Sequence, residues 1–415
     1  LSASTWRSDY GTVAEDQTRI GMRSDKLALE GEWREPFAGW QSLQLQAAST
    51  DYSHTEFEAG VPGTVFGKRG QDLRLQARHQ RLGPLEGVVG LQWESGRFKA
   101  DGLEAYVPYS RNRSLAVFAL EEWRTGWGQL QAGGRVEQVA VRSEGSPLPN
   151  DFALGERRFS PASFSLGGHY RLAGEWLARG QLAHSERAPG DAELFAKGPH
   201  LATHTWERGN ASLGLEKSNS IELGLERRSE KHPMKFSVYD SRFANFIGLL
   251  GTGQTQDALP EYAYTGVRAH LRGWEASGQS RVWQGMGTLD LHWRADQVLA
   301  DNLSTGEPLP RIAPWRAGLS GVYRFDAWQA RLGFDHAAAQ RRVPAGSEPT
   351  AAYTLWHASL NYRQKVDVGT VNWFARWDNI GNALAYSATS ILTSTVPGRA
   401  PLPGRSLKLG LQWQF

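Results

Sequence analysis

Arg405-Ser-Leu-Lys-Leu-Gly-Leu-Gln-Trp-Gln-Phe415 closes a chain of 415 residues and sets Leu407, Leu409, Leu411, Trp413 and Phe415 on one parity. Lys408, Gly410, Gln412 and Gln414 occupy the other. A period of two is a strand with one apolar and one polar face. In a water-soluble sheet such a terminal strand would be an exposed apolar edge. In a membrane-spanning barrel it is the closing strand, which pairs with the first and removes the edge.

Working outward, the same alternation recurs. After a partial strand at Leu1–Trp6 there are about 17 segments, near 17–34, 38–53, 64–82, 85–98, 113–124, 125–142, 156–173, 174–186, 217–230, 232–247, 261–277, 279–295, 312–325, 326–341, 351–365, 366–379 and 405–415. In one, Leu27, Leu29 and Trp33 oppose Lys26, Glu30 and Arg34; in another, Trp356, Ala358, Leu360 and Tyr362 oppose His357, Ser359 and Asn361. Short connections such as Gly83-Pro84, Thr125-Gly126 and Ala173-Gly174 alternate with long ones near 7–16, 54–63, 99–112, 143–155, 187–216, 248–260, 296–311, 342–350 and 380–404. Short turns on one rim and long loops on the other are the asymmetry of an outer-membrane barrel. Counted back from Phe415 on the periplasmic rim, every long loop falls outside the cell. A soluble β-propeller would show a blade repeat, and none recurs.

Composition agrees. Mean hydropathy is −0.49, and no apolar run approaches the roughly 18 residues of a spanning helix. A barrel strand alternates and averages out as hydrophilic. Seventeen Trp and 12 Tyr suit interfacial girdles, and Trp40, Trp123, Trp127 and Trp413 stand near strand ends. The chain has no Cys, which excludes disulfides and thiolate metal sites. A net charge of +3 gives no reason to expect nucleic acid.

Four motifs in order carry a family resemblance. Arg187-Ala-Pro189 with Glu193-Leu-Phe195, then Gly209-Asn210 leading to Glu216-Lys-Ser218 and Glu222-Leu-Gly224, flank the longest loop. Asp378-Asn-Ile-Gly-Asn382 and Pro401-Leu-Pro-Gly-Arg-Ser406 precede the last strand. The set resembles TonB-dependent receptors of Gram-negative outer membranes, and Gly198-Pro-His-Leu-Ala-Thr203 resembles their zinc-receptor branch. A last strand ending in Phe is also similar to the assembly signal of outer-membrane proteins. The resemblance implies an all-β, transmembrane antiparallel barrel of the family's type, which closes about 22 strands around an N-terminal plug. About 18 strands are expected in residues 1–415, with the plug and first strands missing, because Leu1 begins mid-pattern without Met or a signal peptide. It also implies uptake of a scarce nutrient driven by TonB acting through that plug, with zinc or a zinc complex as cargo. A ferric siderophore or cobalamin is the alternative cargo. A passive porin of about 18 strands is the alternative of a different class.

Candidate ligands lie in the loops. His200 and His204 are followed by Glu207, and a helix there would bring both imidazoles to one face. His54, Glu56 and Glu58 have strand spacing that aims all three the same way. Imidazole with carboxylate suits Zn²⁺, and capture followed by release calls for open coordination. Asp51 and Asp191 are further oxygen donors. The remaining histidines are read as polar lining, with His357 on the parity that would meet a plug. No catalytic set is recognisable: Gly-X-Ser-X-Gly is absent, and Gly67-Lys68-Arg69 only mimics the end of a P-loop. Neither an enzyme nor a catalytic cofactor is expected.

Overall fold

The computed structural model describes residues 1–14, 17–146 and 151–415. The described residues form 22 strands in a single sheet. Long neighbours pair antiparallel in chain order: Ser2–Gly11 with Thr18–Arg34, then Trp40–Glu58, Val61–His79, Leu85–Asp101, Tyr109–Arg124, Gly128–Gly145 and Gly155–Phe159. A second antiparallel run comprises Thr288–Asn302, Arg316–Phe325, Trp328–Ala337, Tyr353–Val366, Gly369–Asp378 and Ser406–Gln414. Among the described residues no helix is long and apolar enough to cross a membrane. The helices Asp191–Phe195 and Leu392–Thr395 are single turns within long loops.

The parity read from the sequence is the parity of the sheet. Leu407, Leu409, Leu411 and Trp413 are between 52% and 73% exposed, and Leu27, Leu29, Trp33, Leu223 and Leu360 are likewise exposed. The opposite face carries polar networks, for example Gln76 donating to Gln44 and Arg135 to Gln92. Apolar surface turned outward and hydrogen-bonded polar groups turned inward reverse the soluble arrangement and fit a sheet whose outer solvent is hydrocarbon.

Several boundaries differ from expectation. The loops expected at 54–63 and 248–260 are hairpins: Trp40–Glu58 and Val61–His79 meet at Ala59-Gly60, and Met234–Gln256 and Leu259–Gln284 meet at Asp257-Ala258. All four turn residues have positive φ, the signature of a tight two-residue hairpin. Beyond the membrane both faces are wet, so alternation fades while pairing continues. The turn expected at Gly278 lies instead at Gly285-Met286-Gly287, between Leu259–Gln284 and Thr288–Asn302. A Cβ at Gly278 would stand 2.6 Å from the Trp293 indole, so this glycine makes room for a ring. The segment expected at 156–173 is two strands, Gly155–Phe159 and Ala162–Arg171. The loops expected near 7–16 and 143–155 lie partly outside the described residues.

Contacts divide the chain into two units. One comprises Leu1–Gly168, Gln181–Ile221 and Ser241–Ala269; the other comprises His169–Gly180, Glu222–Asp240 and His270–Phe415. The first holds the main apolar cluster, with Leu194 and Phe195 of the short helix packed among Val141, Phe159, Leu213 and Ile247. This core seats the longest loop.

Candidate functional site

The loop motifs turn out to be structural anchors. Arg187 donates to both Glu193 oxygens (2.8 and 3.0 Å) and to both Glu216 oxygens (3.2 Å each). Glu193 also accepts the Gly190 amide at 2.7 Å and so caps Asp191–Phe195. The Asn210 amide donates to the Glu193 carbonyl, and the Gly209 amide to that of Ala196. A Cβ on Gly209 would lie 2.6 Å from the backbone nitrogens of Phe195 and Ala196. Only glycine allows that approach.

On this anchor stands a hairpin. Lys197–His200 pairs antiparallel with Thr205–Arg208, matching His200 with Thr205 and Gly198 with Glu207. The second arm adds in parallel to the strand Leu259–Gln284 through Trp206, Glu207 and Arg208, in contrast to the antiparallel pairing of the long strands described above. The hairpin packs under the loop carrying Tyr106: the Lys197 amide donates to the Tyr106 carbonyl at 2.7 Å. Gly198 lies so close that a Cβ would reach the Tyr106 Cα at 3.2 Å.

At the centre His200 Nδ1 donates to Glu207 Oε1 at 2.7 Å. The same oxygen accepts the Thr203 and Thr205 hydroxyls at 3.3 Å each, and Tyr264 Oη donates to Oε2 at 3.3 Å. Glu207 is 2% exposed, so its carboxylate is buried and supplied with donors on both oxygens. The Tyr106 ring stacks on the imidazole, centroids 4.1 Å apart and planes 13° from parallel. Burial alone would raise the Glu207 carboxyl. The hydrogen bond and charge of His200, then the Tyr264 and Thr203 hydroxyls, outweigh it and hold the group below its ordinary range. Burial, and then the charges of Glu207, Asp191 and Glu56, push the Tyr106 phenol far upward, so it remains a neutral hydroxyl. In the neutral imidazole, giving Nδ1–H to the carboxylate leaves the lone pair on Nε2.

The residues expected as ligands are thus only partly assembled. The helix that would have aligned His200 and His204 is not formed: residues 201–203 are a 3₁₀ turn, and His204 follows at φ 52°. His204 Nδ1 is buried without a hydrogen-bond partner. His54 and Glu56 do share a face of Trp40–Glu58, His54 Nε2 standing 3.9 Å from Glu56 Oε1. His54 also contacts Tyr52 Oη at 3.1 Å and stacks on Phe66. Glu56 is buried, whereas Glu58 is exposed at the hairpin tip. Asp191 is occupied by Ser110 and Asn112 (2.5 and 3.1 Å), and Asp51 by Arg69 at 2.9 Å. Among the described residues no three His, Asp or Glu side chains form a ready metal cluster. Tyr106, Tyr264, Thr203 and Thr205 were not singled out from the sequence, although a glycine inside a hairpin arm, Gly198, marks the close approach of the Tyr106 loop.

In the second unit the polar face opens into a cavity of about 970 Å³. His292, Arg294, Arg331, Asp335, His357 and Arg376 are on its wall. His357 therefore lies on the polar face, as its parity required.

An outward apolar face, an inward polar face and a loop hairpin holding a half-buried His200 on the buried Glu207 define an outer-membrane β-barrel with an organised loop site. Residues 2–390 match the family described as TonB dependent receptor-like, beta-barrel, and the chain belongs to that family. It is an outer-membrane protein of the Gram-negative type. Among solved structures it resembles the copper transporter OprC, with 17% identity over 97% of this chain and 67% of that one, and a TM-score of 0.82. It resembles the FrpB iron transporter from Neisseria meningitidis (F3-3 variant) at 12% identity, covering 96% of this chain and 64% of that one, with a TM-score of 0.73. The hemophore receptor HasR of Serratia marcescens, solved with HasA and heme, is 15% identical over 100% of this chain and 68% of its own, also with a TM-score of 0.73. Identities this low bear on the fold, and the chain spans only about two thirds of the length of these proteins.

Proposed function

We propose that the chain is the barrel portion of a TonB-dependent transporter that captures a scarce metal, with zinc as the preferred cargo. His200 Nε2 is the primary donor. The observation that carries the reading is the His200–Glu207 pair: a buried carboxylate fixing the tautomer and aim of an imidazole is the outer-shell arrangement of metal-ligating histidines. Glu207 then orients rather than ligates, because its oxygens are already engaged. His54 and Glu56 are the nearest candidates for a further donor set, and His204 and Glu58 are secondary. Incomplete coordination suits capture and release, the remaining positions being filled by water, by a plug or by ligands that travel with the metal. That last possibility favours a second reading, uptake of a metal complex such as a ferric siderophore, supported by the absence of a three-ligand cluster among the described residues. Copper and iron are named for the similar structures OprC and FrpB.

Calorimetry separates the readings. His200→Ala should weaken Zn²⁺ binding about 10- to 100-fold, the range seen when a metal-site shell is broken. Unchanged affinity removes His200 from the site. Zn²⁺ binding absent from the unaltered chain, with a chelated metal bound instead, supports the complex.

A further inference from the structure

The outward face carries a second organised feature. Four neighbouring strands place Arg69, Arg97, Arg111 and Arg142 directly opposite one another in register, Arg69 against Arg97, Arg97 against Arg111, and Arg111 against Arg142. Like charges directly opposed across strands destabilise a sheet. Four in a row is therefore an arrangement that needs an outside counter-charge. Intramolecular relief is partial: Asp51 pairs with Arg69 at 2.9 Å, and Glu144 stands 3.5 Å from Arg97 and 3.6 Å from Arg111. With Lys99, Arg113 and Arg158 on the same parity, seven cations face four carboxylates, Asp51, Asp101, Glu144 and Glu156.

The position of this row says what it faces. Six residues along each strand, on the same parity, lies a second row in register: Leu75, Leu91, Val117 and Val136. These side chains are between 37% and 60% exposed. Between them come a mainly apolar row that includes a tryptophan, Leu73, Trp93, Leu115 and Gln138, and then a mixed one, Gln71, Ser95, Arg113 and Ala140. At about 3.3 Å per residue the arginines stand about 13 Å beyond that last apolar row, on the long-loop side. Hydrocarbon-facing residues, then an interfacial tryptophan, then a cationic row bring the guanidinium groups to headgroup depth in the outer leaflet.

We infer that the row Arg69–Arg97–Arg111–Arg142 binds the phosphate groups of a phosphorylated lipid headgroup in the outer leaflet of the outer membrane. Guanidinium donors meet phosphate oxygens in bidentate pairs, and the headgroup supplies the charge that the sheet lacks. The bound lipid also pins the strands that present the Tyr106 loop.

The test uses the purified full chain in neutral detergent, titrated with diphosphoryl lipid A and separately with its dephosphorylated form, with bound lipid counted by native mass spectrometry. Diphosphoryl lipid A should bind about 10-fold more tightly or better, one strong charged contact being worth that much. Arg97→Gln/Arg111→Gln/Arg142→Gln should erase the preference while retaining the heat-modifiable gel shift of a folded barrel. If the triple variant misfolds, Arg111→Gln alone should cost roughly 3-fold or more. Equal binding of the two lipids, or an undiminished preference in the folded variant, overturns the inference. Displacement by millimolar inorganic phosphate alone overturns it too, because the row would then be a free-anion site.

Discussion

Two polar assemblies of one unit handle charge in opposite ways. Around His200 the charge is inside: Glu207 is buried, and four side chains donate to it. Along the arginine row the charge is outside: Arg69 and its partner Asp51 have 79% and 56% of their side-chain surfaces exposed. A buried network is costly to break because each orphaned group keeps its desolvation penalty. An exposed pair is screened by water and contributes little on its own. The first assembly can hold a geometry, whereas the second can hold a partner.

Gly209→Val should break the contrast most severely. Its side chain would meet backbone atoms of Leu194, Phe195 and Ala196 that cannot step aside, and overpacking of this kind costs on the order of 3 kcal/mol. Hydrogen exchange should show residues 191–215 losing protection while Ser406–Gln414 keeps its own; unchanged protection in the loop would mean that the anchor is not needed. Glu207→Leu comes next, leaving the His200 Nδ1–H and the Tyr264 hydroxyl without an acceptor, at about 3 kcal/mol in all. Acid should reproduce part of that loss. The folded Glu207 carboxyl titrates below its ordinary value of 4.5, so its contribution is whole above that pH and is lost as pH falls through the lower folded value. Loop protection that declines instead between pH 6 and 8 would point to another group. Asp51→Asn should have the smallest effect, below about 1 kcal/mol in melting experiments. A larger cost would mean that the outer row is structurally more like the inner network.

What the sequence disclosed follows the same division. Strands in contact with hydrocarbon must alternate, so the parity of 405–415 and of Leu27, Leu29 and Trp33 is the parity of the structure. Where water bathes both faces nothing enforces alternation, and the hairpin tips at Ala59-Gly60 and Asp257-Ala258 read as loops. Gly278 read as a turn because sequence alone does not separate a glycine that bends the chain from one that admits the Trp293 ring. The pairing of His200 with Glu207 depended on a hairpin rather than a helix, since Thr205–Arg208 gains a parallel partner in Leu259–Gln284, 55 residues further on in the chain. Tyr106 and Tyr264 also come from segments distant in the chain, and a tyrosine in a barrel sequence reads first as girdle.

The outward apolar parity underlies every other assignment, and the absence of cysteine makes it directly measurable. Single cysteines placed from Leu407 to Trp413, spin-labelled in lipid bilayers, report accessibility to oxygen and to a water-soluble nickel chelate. Residues 407, 409, 411 and 413 should favour oxygen, and 408, 410 and 412 nickel, with a period of two. A reversed phase, with apolar positions meeting neither reagent and polar positions meeting lipid, would contradict the barrel and the transporter reading built on it.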